Sequence, residues 1–173
     1  MNLDQNKTTK KLLAQYAKGR RDFEGWDLRD LKGWELLGPN LSGAILDEIK
    51  LFRVNLFSAD LSGASLRRAS CQRTYFSKAN FQEAVLCGGN FHQADFWKAD
   101  FQKANLSKAD FTDTDLRRSR LFEANLQKTN LQGAMLNWAK LKEVNLSGAC
   151  LNQVTFQKTD LKEIFLIEQL PFG

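Results

Sequence analysis

The sequence predicts an all-β solenoid, in which the chain winds into stacked coils around a column of apolar side chains. From Leu31 to Leu166 every fifth residue is Leu or Phe, apart from Cys71, without a single insertion or deletion. A period of five fits neither an α-helix, at 3.6 residues, nor a flat strand, at 2. The pattern therefore indicates a coil whose circumference is a multiple of five residues.

Each five-residue unit contains two positions that face inward. The central position holds Leu or Phe, and the small position, two residues earlier, is mostly Ala, Val, Thr or Ile. The residue just before the centre is often Asn or Asp, whose short side chains hydrogen-bond nearby backbone, and Gly43, Gly63, Gly133 and Gly148 tolerate a positive φ. Each unit is therefore a short extended piece and a bend. It buries its apolar side chain only when coils stack about 4.8 Å apart.

Units such as ADFQK, ANLSK and ADLSG resemble the pentapeptide-repeat family, whose pattern is A(D/N)LXX. The resemblance implies a right-handed quadrilateral β-helix with four pentapeptides, or twenty residues, per coil. The run would then make about seven coils, roughly 34 Å long at the strand spacing. The first coil departs from the pattern, with Trp34 and Pro39 in the small position.

The predicted organisation has three parts. Residues 1–30 form an N-terminal capping helix and lead-in segment, residues 31–168 form the β-helix, and residues 169–173 form a C-terminal tail. The segment TTKKLLAQYAK reads as a short amphipathic helix that covers the open end of the solenoid. Because Phe23 and Leu28 are five residues apart but out of register with Leu31, we expect the frame to slip there through a bulge.

The C-terminal segment IFLIEQLPFG carries more apolar residues than the repeat requires. Two interpretations stay open. The tail folds back as a plug, or two chains stack end to end as a homodimer through the C-terminal coil.

The composition favours a cytoplasmic protein without catalysis. No stretch approaches the roughly 18 apolar residues of a membrane span. The three cysteines form no CxxC pair and are expected to be reduced thiols, and a single histidine leaves no triad or histidine-based metal site. We expect no cofactor and no metal. The formal net charge of +5 is a mild basic excess.

With twenty residues per coil, the outward residues sort into four faces. The basic aromatic face is centred on Leu36, Leu56, Phe76, Phe96, Leu116, Leu136 and Phe156. Exposed aromatic residues beside Arg and Lys are typical of interaction hot spots. The candidate partner-binding residues are Phe57, Tyr75, Lys78, Trp97, Lys98, Arg117, Arg118, Trp138 and Lys158. The other interpretation is a structural ladder, in which rings one coil apart simply pack together.

The neighbouring mixed-charge face is centred on Leu41, Leu61, Phe81, Phe101, Leu121, Leu141 and Leu161. It carries seven acids and five cations. Some members of the family imitate duplex DNA and bind gyrase, which requires a dense negative field. Five cations on the most acidic face make that mechanism unfavourable here.

The predicted function is a non-enzymatic protein–protein interaction scaffold or adaptor for an unidentified partner. Similarity to cyanobacterial family members implies a regulatory role, like that of members that restrain heterocyst differentiation. The alternatives are a DNA-mimic topoisomerase-interacting protein and binding of single-stranded nucleic acid, with bases stacked on the rings.

Overall fold

The computed structural model describes residues 9–27, 38–159, 161 and 163–165. Its helix, α1, spans Thr9–Ala17. In the solenoid the described residues form single-residue parallel bridges rather than longer strands. Every fifth residue from 40 to 155 takes part, and each bridge joins residues twenty apart, from Asn40 with Asp60 to Met135 with Thr155. The coil therefore contains twenty residues, and the prediction that residues twenty apart stack is confirmed.

All five backbone N–H groups of the unit 80–84 are hydrogen-bonded. Three of its five N–H groups donate to carbonyl groups of the two adjacent coils at 2.7–2.9 Å, and that of Ala84 donates to the Phe81 carbonyl at 3.0 Å. The fifth, from Gln82, donates to Oδ1 of Asn80 at 3.1 Å. No backbone donor of this unit is left without a partner, which removes the main penalty for building a compact coil.

The Asn and Asp residues before the centres share the structural task that Asn80 performs in this unit. Every Asn or Asp at that position between residues 40 and 155 accepts a hydrogen bond on Oδ1 from the N–H two residues later, at 2.9–3.2 Å. The prediction that these side chains bond nearby backbone is confirmed. The members are Asn40, Asn55, Asp60, Asn80, Asn90, Asp95, Asp100, Asn105, Asp110, Asp115, Asn125, Asn130 and Asn145.

The residue two after each centre has a positive φ at every unit from Gly38 to Glu163. Sequence reasoning expected this conformation at the glycines, but twenty other residues also adopt it, with φ between 53° and 60°. A left-handed residue with a Cβ costs about 1–2 kcal/mol. The hydrogen bonds between coils offset that cost. The signal in the sequence was that all but one of the repeat's glycines occupy this position.

The lumen is closely packed. The central side chains from Leu41 to Leu146 are at most 4 % exposed. Its middle coils hold six phenylalanines, which form three stacked pairs one coil apart, with ring centroids 4.9–5.1 Å apart. The pairs are Phe76 with Phe96, Phe81 with Phe101, and Phe91 with Phe111. Cys71 is fully buried among the central positions, and this burial raises the pKa of its thiol.

Gly89 is the one glycine in the small position. A Cβ added there would lie 2.6 Å from Cε2 of Phe91. The glycine therefore makes room for a phenylalanine ring that leans toward the backbone.

The N-terminal segment packs against the first described coil. Leu12 of α1 is 1 % exposed and belongs to the core. The Tyr16 hydroxyl donates to the Ser42 carbonyl at 2.7 Å, and the Arg21 guanidinium lies 4.0 Å from the Tyr16 ring centroid. These contacts attach α1 to the solenoid.

The predicted frame slip is confirmed. Asp22 pairs with Ile45 and Asp27 with Lys50, each 23 residues apart rather than twenty, so three extra residues lie between positions 27 and 40. The predicted bulge, Leu28 and Trp34 lie outside the described residues. Pro39 is buried, and its carbonyl accepts from the Asp60 N–H at 2.9 Å, as Ala does elsewhere in the small position.

The last described coil is more open than the others. Leu161 is 43 % exposed and Phe165 is 55 % exposed. The predicted plug or end-to-end contact involves residues 166–173, which lie outside the described residues. Among the residues that are described, no helix combines the length and the apolar character needed to cross a bilayer.

Candidate interaction surface

The structure brings the predicted site residues onto one side of the solenoid. Phe57, Ser77 and Trp97 are in one column, one coil apart. The Lys78 Nζ lies 5.1 Å from the Phe57 ring centroid and 5.9 Å from that of Trp97, and the Lys98 Nζ lies 4.2 Å from Trp97. Rings and cations therefore alternate along the axis of the solenoid.

The alternation continues at the C-terminal end of the same face. Trp138 is 40 % exposed, with the Arg118 guanidinium 5.6 Å and the Lys158 Nζ 5.8 Å from its ring centroid. Arg118, Trp138 and Lys158 follow one another at intervals of twenty residues, so the two cations flank the ring from the coils on either side. We call the set of Phe57, Lys78, Trp97, Lys98, Arg118, Trp138 and Lys158 the aromatic stripe.

Two predicted site residues lie on this face but outside the stripe. Tyr75 is 52 % exposed and makes no ring or cation contact with any described residue. The Arg117 guanidinium bonds both carboxylate oxygens of Asp115, at 2.9 and 2.6 Å. This hydrogen-bonded ion pair raises the pKa of Arg117. The charge of Arg117 is therefore already paired within the molecule.

The described acids of the basic aromatic face form hydrogen bonds or an ion pair within the molecule, whereas the cations of the stripe form no ion pair with any described residue. Asp95 accepts from the Ser77 hydroxyl at 2.6 Å and from the Trp97 N–H at 2.9 Å, and Asp115 holds Arg117. Glu35 lies outside the described residues. Within the described chain, no carboxylate lies within ion-pair distance of the four stripe cations. The stripe therefore presents positive charge that its own face does not neutralise.

The mixed-charge face contrasts with this arrangement. Arg120 pairs with Asp100 at 3.2 Å and Lys103 with Glu123 at 3.9 Å. Lys142 pairs with both Glu143 and Glu163 at 3.5 Å, and chiefly the charge of Glu163 raises the pKa of Lys142. Most of the cations on this face are therefore paired with its own acids.

Sequence reasoning missed one aromatic residue with the same surroundings. Phe122, on the mixed-charge face, has the Arg120 guanidinium 5.7 Å and the Lys140 Nζ 5.9 Å from its ring centroid. The signal was the segment LRRSRLF, which places arginines on both sides of an inward serine.

Nothing in the described part of the chain resembles a metal centre, because no three His, Cys, Asp or Glu side chains are grouped to hold an ion. Cys71, Cys87 and Cys150 are free thiols.

The sequence matches the family model for pentapeptide repeats in eight copies, over residues 39–70, 55–93, 79–121 and 119–157. These ranges cover well over half of the chain. No curated protein matches it.

Three solved structures of pentapeptide-repeat proteins align with the chain. HetL from Nostoc sp. PCC 7120, involved in regulating heterocyst differentiation, is 24 % identical over 92 % of this chain and 97 % of its own, with a TM-score of 0.35. The protein alr5209, also from Nostoc PCC 7120, is 29 % identical over 92 % and 96 %, with a TM-score of 0.37. QnrB1, a plasmid-mediated fluoroquinolone resistance protein, is 14 % identical over 86 % and 90 %, with a TM-score of 0.32.

Proposed function

The chain belongs to the pentapeptide-repeat family, and from that premise we propose that it is a non-enzymatic interaction protein whose aromatic stripe docks a partner protein. The observation that carries the proposal is the set of four stripe cations, each held against an aromatic ring and none paired with a described carboxylate. Cations held by rings lose less side-chain freedom when a partner binds them, and aromatic and arginine side chains dominate protein interfaces.

Tyr75 supports the same conclusion. Its position is the one where Asn or Asp completes the turn by accepting a backbone N–H. A tyrosine side chain cannot make that short-range bond, and Tyr75 gains little burial in return, being 52 % exposed. Its contribution to folding is therefore small for so large a side chain, which favours a role in contact with another molecule.

Family membership makes the fold a right-handed β-helical solenoid. Beyond this, we infer about seven four-sided coils and a capping role for α1, supported by the burial of Leu12 in the core. End-to-end pairing through the C-terminal coil and a cytoplasmic location stay predictions.

Duplex-DNA mimicry is the main competing function. DNA mimicry requires a dense negative field, and this chain meets that requirement poorly. Acids of the mixed-charge face are paired with Lys103, Arg120 and Lys142. The acids of the basic aromatic face are hydrogen-bonded to their own coil. A gyrase supercoiling assay with and without the protein tests this alternative. Inhibition or protection at low micromolar protein would overturn our charge argument.

The docking proposal is tested with two matched double variants. Arg118→Ser with Trp138→Ser removes a ring and its cation from the stripe. Phe52→Ser with Arg53→Ser removes a ring and its cation, 5.1 Å apart, from the face centred on Leu51. Cross-linking pull-downs from the native host, read by quantitative mass spectrometry, compare both with the unmodified protein. We expect the stripe variant to lose a partner that the control retains, while both keep the same thermal unfolding. Retention of every partner by the stripe variant, or equal loss by both, would contradict the proposal.

A further inference from the structure

We propose that the docking surface turns the corner between the basic aromatic face and the mixed-charge face, and that it binds an acidic, extended segment of the partner. This inference rests on the proposed function and names its partner by chemistry. The corner cluster consists of Arg118, Arg120, Phe122, Trp138, Lys140 and Lys158.

The repeat itself places these residues side by side. Arg118 and Arg120 flank Ser119, which occupies the small position, is fully buried and donates its hydroxyl to the Leu116 carbonyl at 2.7 Å. In the next coil Trp138 and Lys140 flank the buried Ala139 in the same way. Residues two apart along the chain have Cα atoms at most about 7 Å apart. Both coils thus project one outward residue on each side of a shared edge.

The two coils are joined directly at this edge. Arg120 forms a parallel bridge with Lys140. Each face contributes one ring with two cations, Trp138 with Arg118 and Lys158, and Phe122 with Arg120 and Lys140. The rings therefore hold four cations around a single edge.

The charge of the corner cluster is largely uncompensated. Arg120 shares its charge with Asp100 at 3.2 Å and lies 3.5 Å from Oε1 of Gln102. Arg118, Lys140 and Lys158 have no ion-pair partner among the described residues. Elsewhere on the mixed-charge face the cations Lys103 and Lys142 are paired. An anionic partner is therefore attracted more strongly to the corner cluster than to the rest of the mixed-charge face.

The arrangement of the rings favours carboxylates over nucleic-acid bases. A base must stack on an open ring face, but Trp138 is flanked by Arg118 and Lys158 from the adjacent coils. Carboxylates reach these cations without displacing them. Arg118 and Lys158 are two coils apart, about 10 Å at the strand spacing, and an extended chain places same-side residues about 6.8 Å apart. A segment of some four to six residues with alternating carboxylates therefore spans the cluster.

The test uses purified full-length protein and three labelled probes, namely octaglutamate, octaglutamine and an eight-nucleotide oligo-dT, in fluorescence anisotropy titrations. The corner variant is Arg120→Gln with Lys140→Gln. The control is Lys103→Gln with Lys142→Gln, which removes the same charge from the same face, but from positions outside the corner cluster. The titrations are done at about 150 mM salt, which screens electrostatic interactions beyond roughly 8 Å.

We expect octaglutamate to bind the unmodified protein, to bind the corner variant at least fivefold more weakly, and to bind the control within about twofold. Octaglutamine should not bind. Equal weakening in both variants would overturn the proposal, because net charge alone would then explain binding. Absence of octaglutamate binding, or tighter binding of oligo-dT, would also overturn it. Because the probes replace the native partner, these failures leave the pull-down result, and the proposed function, to be judged separately.

Discussion

Aromatic residues line both sides of the same backbone, and the two sets have different neighbours. Inside, phenylalanines such as Phe76 and Phe96 stack ring on ring, with centroids 5.1 Å apart and no exposed surface. Outside, Trp97 and Trp138 lie one coil away from lysine or arginine instead of another ring. The spacing of the coils brings side chains into contact on both surfaces. The identity of the neighbour therefore decides whether a ring mainly holds the fold together or mainly holds a cation in place.

The strongest test of this comparison is Phe96→Ala. The ring stacks on Phe76 and makes edge contacts with Phe81, Phe91 and Phe101, all within the buried lumen. Its removal leaves a cavity, and we expect a loss of about 3–5 kcal/mol in the free energy of unfolding. Urea denaturation measures it. A loss below about 1 kcal/mol would show that the luminal rings do not form a tightly packed core.

A smaller effect is expected from Asn105→Ala. Its Oδ1 accepts the Ser107 N–H at 3.1 Å, and alanine leaves that donor to water. By analogy with helix caps, the loss should be about 1 kcal/mol. Thr155→Ala is the control, since Thr155 occupies the same position and the N–H two residues later, that of Gln157, donates to Asn137 instead. Equal destabilisation of the two variants in urea would mean that the turn bond contributes nothing.

An effect no larger than that of Asn105→Ala is expected from Trp97→Ser. The ring is half-buried and contacts Lys98 and Lys78, so its removal should cost about 1 kcal/mol, within the usual range for exposed cation–π contacts. The measurement is again urea denaturation, beside Phe96→Ala in the same coil. If Trp97→Ser is as damaging as Phe96→Ala, the outer rings form a structural ladder and the docking proposal loses its main support.

Much of the fold was predictable because each unit repeats the same local physics. The inward positions and the frame slip before the repeat follow from the spacing of apolar residues, whereas the stacking of residues twenty apart was implied by the resemblance to the family. The left-handed conformation of residues such as Lys98 and Arg118 was not expected, because a side chain disfavours it. It is imposed by the hydrogen bonds between coils, which no single unit contains.

The candidate site was predictable only in part. Sorting the outward residues by a spacing of twenty placed Phe57, Lys78 and Trp97 on one face, and the contacts between them agree. Sequence reasoning counted Arg117 among the candidate partner-binding residues, whereas its guanidinium is ion-paired with Asp115, two residues earlier. It also treated two faces as separate surfaces, although the corner joins Trp138 and Lys140 across one buried alanine.

By itself the sequence determined the period of five, the residues that face inward, and the family. These properties depend only on the order of apolar and polar residues along the chain. The tertiary structure alone decided which charges are paired, which rings carry cations and where two faces merge. Those properties depend on where long side chains from adjacent coils meet, and the same composition on each face permits several such pairings.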